Sequence, residues 1–248
     1  MKNTNKKTAF PKIQFGFDIE WETNNWFGIL FLKRKFALRN KTDKQGLGDI
    51  PANLVDLPKL IPDKNEAWQH ILKRIRKEIK KPEIKQIMAE TIREAKANWE
   101  KKKGQYFPIL AKMLDVDIKK FEPKYFAYFT LSRMAPFKGN SFMFNRFAAF
   151  DHYAAHEIMH IEFLKAYAKY CKDKGLNDEK ISHLKEILTE LLNEDMNEIL
   201  TRPEMGYLPH EKIRPKILEL YRKNGGINGR FTDFLGKAIK LVKKTGLG

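Results

Sequence analysis

The stretch from about Arg146 or Asp151 to Lys172 reads as one long helix that is apolar on nearly every side and closed by Gly175. A helix of this kind cannot lie on a surface, because each apolar side needs cover. Helices able to supply cover are legible on both flanks. Trp68, Ile71, Leu72, Ile75 and Ile79 recur at helical spacing behind the acidic start Asp63 to Glu66. Pro82 opens a second helix with Ile84, Ile87, Met88, Ile92, Ala95 and Trp99 on one side, and the two are expected to pack as a hairpin. Tyr106 to Leu114 predicts another short helix. Downstream, Asn177-Asp178-Glu179 caps the start of a helix reaching about Leu200 and stopped by Pro203. Helices around 211–223 and 231–244 flank Gly225-Gly226.

Strand signals are fewer. Residues 12–38 hold two strand-like runs, IQFGFDIEW and FGILFLKRKFAL, separated by the turn signal Asn24-Asn25. Residues 40–63 are loop-like. KYFAYFTLSRMAPF is rich in aromatic and β-branched residues and reads as a strand, Lys138-Gly139-Asn140 as a turn, and SFMF as a second short strand. The fold class expected is α+β, mainly helical, with a small β component and no firm domain boundary.

The chain has 248 residues, 42% hydrophobic and 32% charged, which suits an ordinary globular protein. No apolar run approaches the roughly 18 residues needed to span a bilayer. The basic N-terminus lacks an apolar core and a cleavage site, so no secretory signal is expected. With Cys171 as the one cysteine, an intrachain disulfide and a zinc ribbon are both excluded. A cytoplasmic protein is the simplest reading. The formal charge of +17 is spread over several segments interleaved with acids, and it makes nucleic acid or another anionic partner an open alternative.

Within the long helix stands AAHEIMHIEF. Residues four apart share a helix side, so His156 and His160 can hold one ion together. Glu157 lies about 100° around the helix, where it reaches a metal-bound water without being a ligand. With six histidines in the chain, a chance H-E-x-x-H is expected in on the order of one such sequence in a hundred.

A catalytic zinc site needs a third protein ligand. Asn193-Glu194-Asp195-Met196-Asn197-Glu198-Ile199-Leu200 resembles the third-ligand helix of the thermolysin-like zinc metallopeptidases, the gluzincins. The match covers roughly residues 141–200. The resemblance implies one zincin-like domain over 1–248: an N-terminal β/loop segment (1–60), a helical scaffold (61–120), a catalytic core (121–210) and C-terminal helices (211–248). It implies a zinc metallopeptidase acting on a peptide or protein, with His156, His160 and Glu194 as Zn2+ ligands and Glu157 as general base. Glu198 would orient a ligand histidine, and SFMF would stand where such enzymes keep the edge strand that binds substrate. No Gly-rich exopeptidase motif or metzincin third histidine is present, so the implication stops at the zincin-like class.

Alternatives remain open at this point. Strict amphipathicity selects Asp195 as the buried carboxylate, with Glu198 flanking the apolar face and Glu194 about 120° from its centre. Tyr207 and His210 are candidates for stabilising an oxyanion. His152 reads as an ordinary helix-start histidine, with support of the site as the alternative, Glu162 as a solvated or supporting carboxylate, Cys171 as a structural thiol, and Tyr125, Phe126, Tyr128 and Phe129 as core. Two other functions compete. Glu157 and His160 can be half of a di-iron carboxylate site in a helix bundle, although a second E-x-x-H is lacking. A basic nucleic-acid-binding protein with a non-catalytic H-E-x-x-H is the other.

Overall fold

The computed structural model describes residues 10–31 and 49–246. They are mainly helical with one small sheet, as expected. The sheet has four strands in the order β1-β2-β4-β3: β1 (Lys12–Gly16), β2 (Lys124–Phe129), β3 (Phe137–Lys138) and β4 (Ser141–Phe144). β1 and β4 both run parallel to β2, and β3 returns antiparallel to β4. SFMF is therefore an inner strand, and the edge belongs to β3. The reason is the tight turn at Lys138-Gly139-Asn140, with Gly139 at φ 59°, which folds the two-residue β3 back along β4.

The pleat sorts the sheet's side chains into two sets. Ile13, Phe15, Tyr125, Ala127, Phe129, Phe142, Phe144 and Phe137 share the inner face by register. That face packs on α5 (Phe150–Asp173), the long apolar helix: Phe15 and Phe144 both meet Phe150 with ring centroids 5.0 Å apart. From the other flank α5 is covered by α4 (Pro82–Met113), whose Tyr106 hydroxyl donates to the Ala155 carbonyl at 2.9 Å. α6 (Asp178–Leu188) closes a third side, with α7 (Glu190–Asp195), α8 (Arg214–Lys223) and α9 (Phe231–Lys243) beyond it. No helix among the described residues is long and apolar enough to cross a membrane.

Four local expectations are corrected. The stretch Ile19–Phe31 is a helix, α1, followed among the described residues by the one-turn helix α2 (Leu57–Leu60), and the Asn24-Asn25 signal lies inside α1. Asp18 starts α1 by accepting from the Trp21 N–H at 2.9 Å. Asn25 is buried and donates to Thr130 Oγ1, Ser132 Oγ and the Met134 carbonyl, so a residue read as turn-forming anchors the helix to the loop after β2. Residues 32–38 of the second run lie outside the described residues.

α3 (Lys64–Glu78) is capped by Asp63 as predicted, yet it packs chiefly on α1 and does not form a hairpin with α4. Tyr106 to Leu114 is no separate helix, because α4 runs unbroken through Gly104 and Pro108. An interior proline costs about 3 kcal/mol. Fully burying Tyr106, Phe107 and Leu110 offsets that, at about 1.5–3 kcal/mol for each large apolar side chain. Last, the helix from Asn177 does not reach Leu200. It breaks at Thr189, and α7 ends at Asp195.

Candidate metal centre

α5 carries His152, His156 and His160 at successive turns on one side, and α6 lies across that side. The Glu186 carboxylate of α6 reaches both motif histidines: its Oε2 is 3.3 Å from His156 Nε2 and 3.0 Å from His160 Nε2. The three donor atoms lie within 4.8 Å of one another. In a tetrahedral zinc site with bonds near 2.0 Å, neighbouring donors stand about 3.3 Å apart. The two histidine–carboxylate separations match that spacing, and two imidazole nitrogens with one carboxylate oxygen are a donor set that suits zinc. His160 is 1% exposed, and burial, then the charge on His156, pushes it down to about 3. It is thus neutral near pH 7, the state that binds a metal, whereas His156, against the lowering effect of burial, is held well above 6.5 by the Glu204 and Glu186 carboxylates and must give up its proton before it can ligate.

The three residues are braced from behind. His156 faces a second carboxylate, with Nδ1 2.9 Å from Glu204 Oε2, and His152 Nε2 lies 3.4 Å from the same oxygen. Burial raises Glu204, but the charges of His156 and His152 and the Gly206 N–H outweigh it and hold the carboxyl at about 2. Its backbone is pinned by Asn193, which accepts from Glu204 N at 2.6 Å and donates to Glu204 O at 2.9 Å. Gly206, at φ 63°, turns the chain so tightly against Arg214 that a Cβ would lie 2.5 Å from its Nη1. On the other side, Lys185 pairs with Glu186 Oε1 and lies 5.0 Å from the centroid of the Phe137 ring. Phe137, on edge strand β3, packs on His160 with centroids 5.6 Å apart.

Glu157 is 7% exposed, and its Oε2 has no hydrogen-bond partner among the described residues. Burial pushes its carboxyl up to about 7, against the lowering effect of His156 and Lys185. A carboxylate near half-ionisation at neutral pH can both take and return a proton.

The structure does not bring Glu194 to the histidines. It forms a two-pronged pair with Arg222, at 2.8 and 2.6 Å, on the surface of α7. Asp195 accepts from the Tyr221 hydroxyl at 2.7 Å, and Glu198 is exposed in a turn. The carboxylate that touches a histidine from behind is Glu204. His210 is fully buried, 2.8 Å from His183, and is not presented to a substrate; the Tyr207 ring lies edge-on to it. Glu162 accepts from Tyr125 and from the Glu122 N–H, tying α5 to the sheet.

Glu186 escapes a helical-wheel reading because it stands about 170° from the centre of the apolar stripe of Ile181, Leu184, Ile187 and Leu188. Such a position implies solvent, yet here the polar side of α6 faces the histidines of α5. Comparison with protein-family models, with curated proteins and with solved structures finds no match for this chain.

Proposed function

We propose that this protein is a zinc-dependent hydrolase of zincin-like type that cleaves peptide bonds, with His156, His160 and Glu186 holding the ion and Glu157 as general base. The observation that carries the reading is the convergence of His156 Nε2, His160 Nε2 and Glu186 Oε2 beside a buried carboxylate one residue along the helix. Zinc held by three protein donors lowers the pKa of a water and polarises a carbonyl. Glu157 accepts the proton released when water attacks the peptide carbon, holds it in a buried setting, and delivers it to the departing amine nitrogen. Phe137 and Lys185 wall the site on the side of the β3 edge and limit access of bulk water. The donor set, two imidazoles and one carboxylate, supports this reading over a carboxylate-rich di-iron site.

The test is elemental analysis with cleavage of an unstructured peptide pool. One zinc per chain is expected, lost in Glu186→Gln and His160→Ala but kept in Glu194→Gln. Glu157→Gln keeps the ion and loses cleavage by at least a hundredfold. Zinc retained in Glu186→Gln, or no metal in the native protein, sinks the assignment.

A further inference from the structure

The outer face of the sheet has no role in the metal centre. By register its outward positions are Lys12, Gln14 and Gly16 on β1, Lys124, Phe126 and Tyr128 on β2, Ser141 and Met143 on β4, and Lys138 on β3. Phe126 and Tyr128 had the composition of core residues, yet they point away from it and are only half-buried. Their rings are nearly parallel, 6° apart in plane with centroids 6.2 Å apart. Trp21 of α1 meets Tyr128 edge-on at 5.5 Å and braces it. The Lys124 ammonium stands 4.7 Å from the Phe126 centroid, and Lys12, Lys124, Gln14 and Lys138 are exposed. Met143, the outward residue of β4 beside Tyr128, is fully buried, so the open part of the face is the strip over β1 and β2, about 13 Å long at 3.3 Å per residue.

The charges on this face are one-sided. No acidic residue occupies an outward strand position, and Lys12 stands directly opposite Lys124 on the neighbouring strand. Like charges in that relation repel and destabilise a sheet. A polyanion lying across the face relieves the repulsion, and the half-buried aromatic rings beside the lysines suit flat rings.

We propose that the outer face of the sheet binds single-stranded nucleic acid, with bases stacked on Phe126 and Tyr128 and the phosphate chain held by Lys12, Lys124 and Lys138. A single strand is specified because rings lying on a sheet can meet a base only where it is not paired inside a duplex. Gln14 and Ser141 supply hydrogen-bonding groups between the lysines. The metal residues lie under the opposite face, so this surface stands or falls independently of the hydrolase reading.

The experiment is fluorescence anisotropy of labelled twelve-nucleotide oligo-U and oligo-dT over a range of salt, with a duplex of the same length as competitor. The full chain is expected to prefer the single strands. Phe126→Ala with Tyr128→Ala should weaken binding at least tenfold at fixed salt. Changing Lys12, Lys124 and Lys138 to Gln should flatten the slope of log affinity against log salt by about 2. If the double alanine variant loses its cooperative melting transition, Phe126→Leu with Tyr128→Leu replaces it, keeping apolar bulk and removing the ring faces. Zinc content should be unchanged in all of these variants. The proposal is overturned if the ring variants bind as the native protein does, or if duplex competes as well as single strand. Capture by phosphatidylserine vesicles without binding of the oligonucleotides overturns it too.

Discussion

His156 is held between two carboxylates, and their positions divide the work. Glu186 meets Nε2, the nitrogen grouped with His160 at the candidate ion position, whereas Glu204 meets Nδ1 from behind. A carboxylate on the far nitrogen fixes the ring's tautomer and direction and makes it a stronger donor. Removing each should therefore have a different consequence. Glu186→Gln loses the ion outright. Glu204→Gln keeps the ring in place through a weaker hydrogen bond and should lower zinc affinity about 10- to 100-fold, measured by competition with a chelator. Equal loss in the two variants would show that Glu204 is itself a ligand, and an unchanged affinity would show that the ring needs no brace.

At the scale of elements, the site depends on a helix that stops early. Thr189 Oγ1 donates to the Glu186 carbonyl at 2.7 Å, and Arg214 Nη1 donates to Thr189 Oγ1 at 3.0 Å. The same guanidinium pairs with Glu190 at 2.6 Å and donates to the Glu204 carbonyl at 2.9 Å. Arg214 thus joins the break between α6 and α7 to the segment that carries Glu204. Arg214→Met should cost about 3 kcal/mol in chemical denaturation, since it leaves the Glu190 carboxylate without its charged partner and Thr189 Oγ1 without its donor. It should also weaken zinc binding, by displacing Glu204. Stability within about 0.5 kcal/mol of native would refute this. The break explains how far the sequence could be read. Apolar residues located α3 and α5, and the Asn177 cap located the start of α6. H-E-x-x-H singled out His156, His160 and Glu157, the first two of which the fold joins to Glu186. Glu186 was not legible, because a distant arginine ends α6 and because the side of α6 facing α5 is polar. The strand reading of Ile19–Phe31 failed for a related reason. Its buried Glu22 and Asn25 hold hydrogen bonds to Leu131, Ser132 and Met134 that only the tertiary fold supplies.

For the molecule as a whole, Glu22 sets a measurable dependence of stability on pH. It is fully buried on α1, and its Oε1 accepts from Trp26 Nε1 at 2.6 Å and from the Leu131 N–H at 2.9 Å, linking the helix to the exit of β2. Burial pushes the carboxyl up to about 7, and the hydrogen bonds it accepts only partly oppose this. The folded protein therefore binds this proton more tightly than the unfolded chain, whose value is 4.5. Between about pH 4.5 and 7 the native state carries more protons at this site, so unfolding releases them and stability falls as pH rises. The contribution is fully present below 4.5 and is gone above about 7, a difference on the order of 3 kcal/mol. Other groups titrate in the same range, so the quantity to measure is the difference between native and Glu22→Gln proteins, both stripped of metal by a chelator. The amide keeps an acceptor for Trp26 and Leu131 but cannot ionise. The variant should gain on the native protein steadily from pH 4.5 to 7, and the gap should stay constant from pH 7.5 to 9. A gap that does not change with pH would mean that Glu22 titrates alike in both states, and that the α1 anchor carries its charge without penalty.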